Sequence, residues 1–380
     1  MSGQRFTKFS NMEFKLSNGN FPQDIINVEN LETPFSQLEK LSFDMENIQN
    51  NTIELCSTEI NIPHNTGIYN PDNAELGLFG GNQGNLKSNI EEYITDAKIW
   101  EIVNKYYPDC SAEDIELLFY RMNYVGCGYV AAINTIFNEY LFYDEIDFQK
   151  RFGFPMYKLG FENGKSIKIF NTDYLFLDFF LYYAKNEEGF NSIEEVYGNV
   201  QDEIEHNNGE ITDGALQEGA FRRTGMDGTY LNIVARVMQQ YLSEKGITIT
   251  SENGIKLQNG SPEWIKQKEK MEELGITVND DDILYATEYT TDMINDVLNS
   301  GKQIIICAED FDMYYPYDVD GNEKLDDIYS EDVGAHVMTV IGTTSDDKII
   351  VSSWGKELLL DLEDIEGMAV YEYGEFTSLS

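Results

Sequence analysis

A chain of 380 residues carrying 68 acidic and 26 basic side chains, for a formal net charge of −42, excludes nucleic acid and an anionic bilayer surface as partners, since both select lysine and arginine. Its 42% hydrophobic and 13% aromatic content excludes a disordered acidic tail and supplies a sizeable core. Basic peptides, cations and neutral substrates stay compatible with that charge.

In chain order, residues 1 to about 90 are rich in Asn, Ser, Thr, Glu and Gly, show weak periodicity and contain the cluster Gly77-Leu78-Phe79-Gly80-Gly81-Asn82-Gln83-Gly84. They are expected to form an irregular N-terminal appendage, with a helix over 31–55 where Leu31, Phe35, Leu38, Leu41, Met45 and Ile48 recur at helical steps. Arg5 and Lys8 are followed by Met12-Glu13-Phe14-Lys15 rather than by an apolar signal core, and no run of 18 apolar residues occurs. The expectation is a soluble chain without membrane insertion, cytoplasmic or exported by a route that uses no ordinary signal peptide.

From residue 91 to 380 a second domain is expected. Helices are predicted over 89–107 and 111–122, the latter opening on a Ser111-x-x-Asp114 capping box. A third begins after Val125-Gly126, with Val130, Ile133, Ile136, Phe137, Tyr140 and Leu141 on one face and Cys127 in its first turn. Residues 150–225 mix aromatic runs with glycine turns and give no assignment. Helices follow over 229–244, stopped by Lys245-Gly246, and over 290–299, closed by Ser300-Gly301. The period then turns to that of strands, over 303–307, 336–341, 348–353 and 369–373. Helices first and an antiparallel sheet last make the fold α+β.

Cys56, Cys110, Cys127 and Cys307 are irregularly spaced with no Cys-x-x-Cys pair, so neither a zinc ribbon nor a disulfide scaffold fits, and reduced thiols are expected. Asp318-Val319-Asp320-Gly321-Asn322-Glu323 with Asp326-Asp327 imitates part of a calcium loop, but Pro316 holds the first ligand position, so a turn-forming acidic loop is the reading. No metal and no cofactor are expected.

Cys127 has the setting that favours a thiolate: a helix N-terminus supplies unsatisfied N–H groups, and Gly126 and Gly128 leave the sulfur accessible. Gly128 and its neighbouring N–H groups are candidates for an oxyanion hole. The three histidines are His64, His206 and His336. The first two lie in polar runs, whereas His336 opens a strand whose hairpin partner ends at Ser352-Ser353, so counting back from the turn sets it beside one of these two serines. Ten acidic residues against Lys324 across 308–332 suggest either a solvated insertion or a rim favouring basic peptides.

Three segments, Gly126-Cys127-Gly128-Tyr129-Val130-Ala131-Ala132-Ile133-Asn134, Gly334-Ala335-His336-Val337-Met338-Thr339-Val340-Ile341-Gly342 and Ser352-Ser353-Trp354-Gly355, resemble in order the nucleophile helix, histidine strand and Asn-Ser-Trp-Gly turn of papain-like cysteine peptidases. Gly228-Thr229 and Asn299-Ser300-Gly301-Lys302-Gln303-Ile304-Ile305 are similar to segments of the bacterial branch related to bacteriocin-processing peptidases. The resemblance spans roughly 100–375. It implies a papain-like fold, a nucleophilic Cys127, His336 as base and acid, Ser352 as orienting residue where the family has Asn, and Trp354 as a shield. Arg121 stands where the family's oxyanion glutamine falls, and Asn123 is the nearest amide. The implied function is hydrolysis of peptide or amide bonds in a peptide or protein substrate. The rivals are deamidation or transamidation by a bacterial effector or toxin with a regulatory or immunity protein, and an inert papain-fold module that binds a partner.

Overall fold

The computed structural model describes residues 60–61, 80–140, 145–162, 165–198, 200, 231–317 and 327–377. The helix expected over 31–55, His64, His206, Cys56 and the acidic loop over 318–326 lie outside the described residues. The first half runs β1 (Ile60–Asn61), α1 (Asn85–Ser88), α2 (Ile90–Tyr93), α3 (Ala97–Tyr106), α4 (Ala112–Val125), α5 (Cys127–Tyr140), α6 (Glu145–Phe152), β2 (Tyr157–Glu162), β3 (Lys165–Phe170), α7 (Thr172–Asn186) and α8 (Ile193–Tyr197). The second runs α9 (Leu231–Glu244), β4 (Ile247–Asn253), α10 (Pro262–Glu273), α11 (Thr291–Asn299), β5 (Gln303–Ala308), β6 (Phe311–Tyr314), β7 (Ile328–Val333), β8 (His336–Thr344), β9 (Lys348–Ser353), β10 (Lys356–Asp361) and β11 (Gly367–Phe376).

The helix ends follow local chemistry. At α4 the Ser111 hydroxyl accepts from Asp114 N–H while the Asp114 carboxylate takes the Ser111 N–H, two orphan donors satisfied at once. The helix expected over 89–107 is divided, because the Asp96 side chain accepts from Lys98 N–H at 2.8 Å and so starts α3 afresh. The unassigned aromatic run over 174–180 is the middle of α7, in which Leu175, Phe176, Leu177, Phe179 and Phe180 are all buried. A helix covered on every side shows no amphipathic stripe to read.

The sheet order is β4-β11-β5-β8-β9-β10-β6-β7, with β1 added on β8. Its pairings are antiparallel, and β2–β3 form a separate hairpin. The α+β expectation therefore holds, and β4, β6, β7 and β10 extend the sheet beyond the four expected runs. Alternation splits the strand residues between two apolar clusters: Ile305, Cys307, Val337, Ala369 and Tyr371 join the helical core, while Ile304, Ile306, Met338, Val340 and Val370 join a second core. Successive side chains point to opposite faces, so β5 and β8 are covered on both, which is why their sequences read as continuous apolar runs.

Helix α5 lies on the first of these faces. Ile133 and Ile136 are fully buried, each contributing about 1.5–3 kcal/mol by leaving water, and Thr339 Oγ1 on β8 donates to Ala131 O at 3.0 Å. At the other end Asn138 Nδ2 donates to Gln303 Oε1 at 2.9 Å. This pins the N-terminus of α5 against the start of β8. No helix among the described residues is long and apolar enough to cross a membrane.

Candidate functional site

Cys127 is the first residue of α5, and the Gly126 carbonyl accepts the first turn's bond from Val130 N–H at 3.0 Å. Only glycine fits before it: a Cβ on Gly126 would lie 2.3 Å from Met122 O and 2.5 Å from the Phe176 ring. The residue as a whole is half-buried. Burial of the sulfur pushes the Cys127 thiol above its ordinary value, although the N–H groups of Val337, Gly128 and Cys127 itself hydrogen-bond to it and pull the other way. Cys127 packs against the cluster that holds Val337, the residue that follows His336, and the Thr339–Ala131 bond fastens α5 to the same strand.

His336 is buried at the start of β8 and bonds Ser353 Oγ through Nε2 at 2.7 Å. Its ring stacks on Trp354 with centroids 4.6 Å apart and planes 22° apart. Burial lowers the imidazole from its ordinary 6.5 to about 4. Both members of the pair are thus held uncharged, the result expected when desolvation outweighs a helix terminus. Val337 and Thr339 face α5, while His336, one residue earlier, stands at the strand end beside Trp354. Among the described residues no hydrogen bond joins thiol and imidazole, and the imidazole's bond goes to Ser353.

Of the two serines left open by the strand register, Ser353 is the one on the imidazole. Ser352 pairs with Thr339 on β8 and accepts instead from Asn134 Nδ2 at 3.2 Å, so the residue assigned by resemblance to orient His336 holds α5 to β9. Trp354 and Gly355 make the two-residue turn between β9 and β10, with φ of 49° and 71°. That is the double left-handed turn that hairpins favour. A bulky residue there is strained, a feature concentrated at functional sites.

The segment Gly80–Gly84, read from sequence as the end of an appendage, is packed into this site. Gly81 N–H donates to Asn134 Oδ1 at 2.8 Å, and Gly355 N–H donates to Gly81 O at 2.9 Å. At Gly80, φ is +78° and a Cβ would lie 2.4 Å from Ser352 Oγ, so glycine is required on both counts. Gln83 follows, half-buried: its Cβ would be 3.1 Å from one on Gly126, and its Nε2 donates to Asn123 O at 2.8 Å. Asn123 is in the last turn of α4, where carbonyls lack helical partners, so the amide nearest in sequence is itself engaged through its backbone. Arg121 is buried inside α4, where burial lowers its guanidinium to about 10.

Gln83 and Asn134 are the residues that reasoning on sequence missed. The signal for Gln83 was its place in the glycine cluster, since glycines allow close backbone approach. The signal for Asn134 was a polar residue on an otherwise apolar helix face. Cys307 is buried on β5 opposite Val337, and burial pushes its thiol to about 11. Burial does the same to Cys110, so position rather than acidity distinguishes Cys127. No group of three or more metal-ligating side chains occurs among the described residues. Comparison of the chain with protein-family profiles, curated proteins and solved structures finds no match.

Proposed function

We propose that this chain is a papain-like thiol hydrolase that cleaves peptide or amide bonds, with Cys127 as nucleophile and His336 as base and acid. The observation that carries the reading is the seat of Cys127 at the N-terminus of α5, packed against the apolar cluster that holds Val337, the residue after the buried His336. With Nε2 engaged by Ser353, the tautomer that donates to Ser353 leaves Nδ1 to accept the thiol proton. A side-chain rotation on substrate entry brings Nδ1 to the sulfur, as catalytic bonds commonly tighten only in the complex.

The chemistry follows from a neutral pair. The sulfur attacks the carbonyl carbon as its proton passes to Nδ1, an S–C bond forms, and charge develops on the carbonyl oxygen. The N–H of Gly128 and one Gln83 amide hydrogen stabilise that oxygen, the other hydrogen staying on Asn123 O. The imidazolium then gives its proton to the leaving amine. Water, activated by the same nitrogen, hydrolyses the thioester and regenerates the thiol. Deamidation and transamidation use the same thioester and differ only in the leaving group or the acceptor.

The raised thiol and lowered imidazole favour one second reading, an inert papain-fold module that binds a partner protein. Incubation of parent and Cys127→Ala chains with a mixed peptide library, read by mass spectrometry, separates the two. Hydrolysis requires new peptide ends, or amide-to-acid conversions, that depend on Cys127. Identical peptide profiles from both chains would sink the hydrolase and leave the binding module.

A further inference from the structure

The ring stacked on His336 is the first rung of an aromatic series that leads away from the site. Trp354 lies 6.2 Å from Tyr329 on β7, centroid to centroid, and Tyr329 lies 5.2 Å from Tyr315 at 88°. Tyr315 follows β6 and its N–H bonds Asp327 O at 2.9 Å. β7 is the last strand of the sheet, and Trp354, Tyr329 and Tyr315 are all only partly buried. The series therefore runs from a buried imidazole to the last strand of the sheet among the described residues.

An ammonium group already sits on this series: Lys356 Nζ is 4.6 Å from the centroid of the Tyr329 ring. Carboxylates border it, with Glu331 and Asp332 exposed on β7 and Asp312 on β6 accepting from Asp332 N–H at 3.0 Å. Aromatic faces that hold a cation among anionic neighbours are built for cation–π recognition. The negative field of the whole chain, −42, raises the local concentration of such ligands.

We infer that Trp354, Tyr329 and Tyr315 form a subsite for a lysine or arginine side chain of the peptide substrate, and that Lys356 fills it at rest and is displaced when substrate binds. The inference deepens the thiol-hydrolase reading and rests on it for the word substrate, but the binding it requires is measurable without turnover. In the full-length Cys127→Ala chain, binding of two capped nonapeptides is compared by calorimetry, alike except for arginine or its uncharged isostere citrulline at the centre.

The arginine peptide should bind about tenfold more tightly, one good cation–π contact. Tyr329→Leu should abolish the difference, with Tyr315→Leu as a second variant should the first not fold. Lys356→Ala should tighten arginine binding by removing the internal competitor. Equal binding of the two peptides, no binding of either at millimolar concentration, or a preference that survives both tyrosine substitutions overturns the subsite. Cleavage by the parent without charge preference overturns the subsite alone. Charge-selective binding lost in the tyrosine variants, without cleavage by the parent, overturns the hydrolase alone.

Discussion

Burial of His336 makes the stability of the protein depend on pH in a way that one substitution isolates. The imidazole is held at about 4 instead of its ordinary 6.5, which corresponds to roughly 3 kcal/mol at about 1.36 kcal/mol per pH unit. Above pH 6.5 the group is neutral in both folded and unfolded chains, and its full contribution is present. As pH falls from 6.5 to 4 the unfolded chain takes up a proton that the folded one refuses, so stability is lost. Below 4 both are protonated and the loss levels off.

In His336→Gln the amide retains a hydrogen bond to Ser353 and carries no titrating group. The 68 acidic side chains titrate in the same range in both proteins and cancel in the difference, because distant sites add. Urea unfolding of the two chains at pH 7 and pH 5 is the assay. The parent should lose about 2 kcal/mol more than the variant, the share of the linkage between 6.5 and 5. Parallel losses within about 0.5 kcal/mol would refute the buried neutral imidazole.

Trp354→Asn should relieve a left-handed conformation that costs a bulky residue about 1–2 kcal/mol, yet uncover the imidazole. The His336 ring-proton resonance should then titrate nearer 6.5 than 4, and an unmoved midpoint would show that Trp354 is no shield. Gln83→Ala should slow acylation of Cys127 by about 10²–10³-fold while leaving iodoacetamide alkylation unchanged, and equal effects on both would make Gln83 only a helix-end cap. Asp178 is buried between Lys105 Nζ at 2.8 Å and Tyr241 OH at 2.6 Å, with Lys245 Nζ at 3.6 Å. Burial pushes its carboxyl up, but Lys245 and Lys105 outweigh that and hold it below the ordinary carboxylate range. Asp178→Ala should cost about 3 kcal/mol in chemical unfolding by stranding the buried Lys245, the Lys105 ammonium being free to turn to solvent, and a loss below about 1 kcal/mol would contradict the ion cluster.

Much of the fold was legible because local signals agreed with it: the Ser111 capping box, the glycine before Cys127, and the change from helical to strand period near residue 303. The seat of Cys127 at a helix start was legible for the same reason. The third site residue was not, because the observed register sets Thr339 opposite Ser352 and so places His336 past the end of β9, where Ser353 reaches the imidazole from a diagonal position through its side chain. Gln83 was hidden by distance: helices α1–α4 intervene between it and Cys127, and proximity in space leaves no mark on spacing. Nor did a favourable helix terminus reveal how far burial would oppose it, since desolvation depends on Phe176, Val337 and other neighbours brought together only in the fold.

Joint action of Cys127 and His336 as one nucleophilic unit can be read from acyl transfer to the sulfur. An N-acetylglycine thioester with a chromogenic thiol is mixed with excess parent or His336→Ala chain at pH 7, following thiol release by absorbance and the adduct by mass spectrometry. One acyl group per thioester consumed is expected on Cys127 of the parent, forming at least about 10²-fold faster than in His336→Ala, the contribution of a positioned base. Equal rates in the two chains, each rising with pH as thiol ionisation alone dictates, would contradict that joint action.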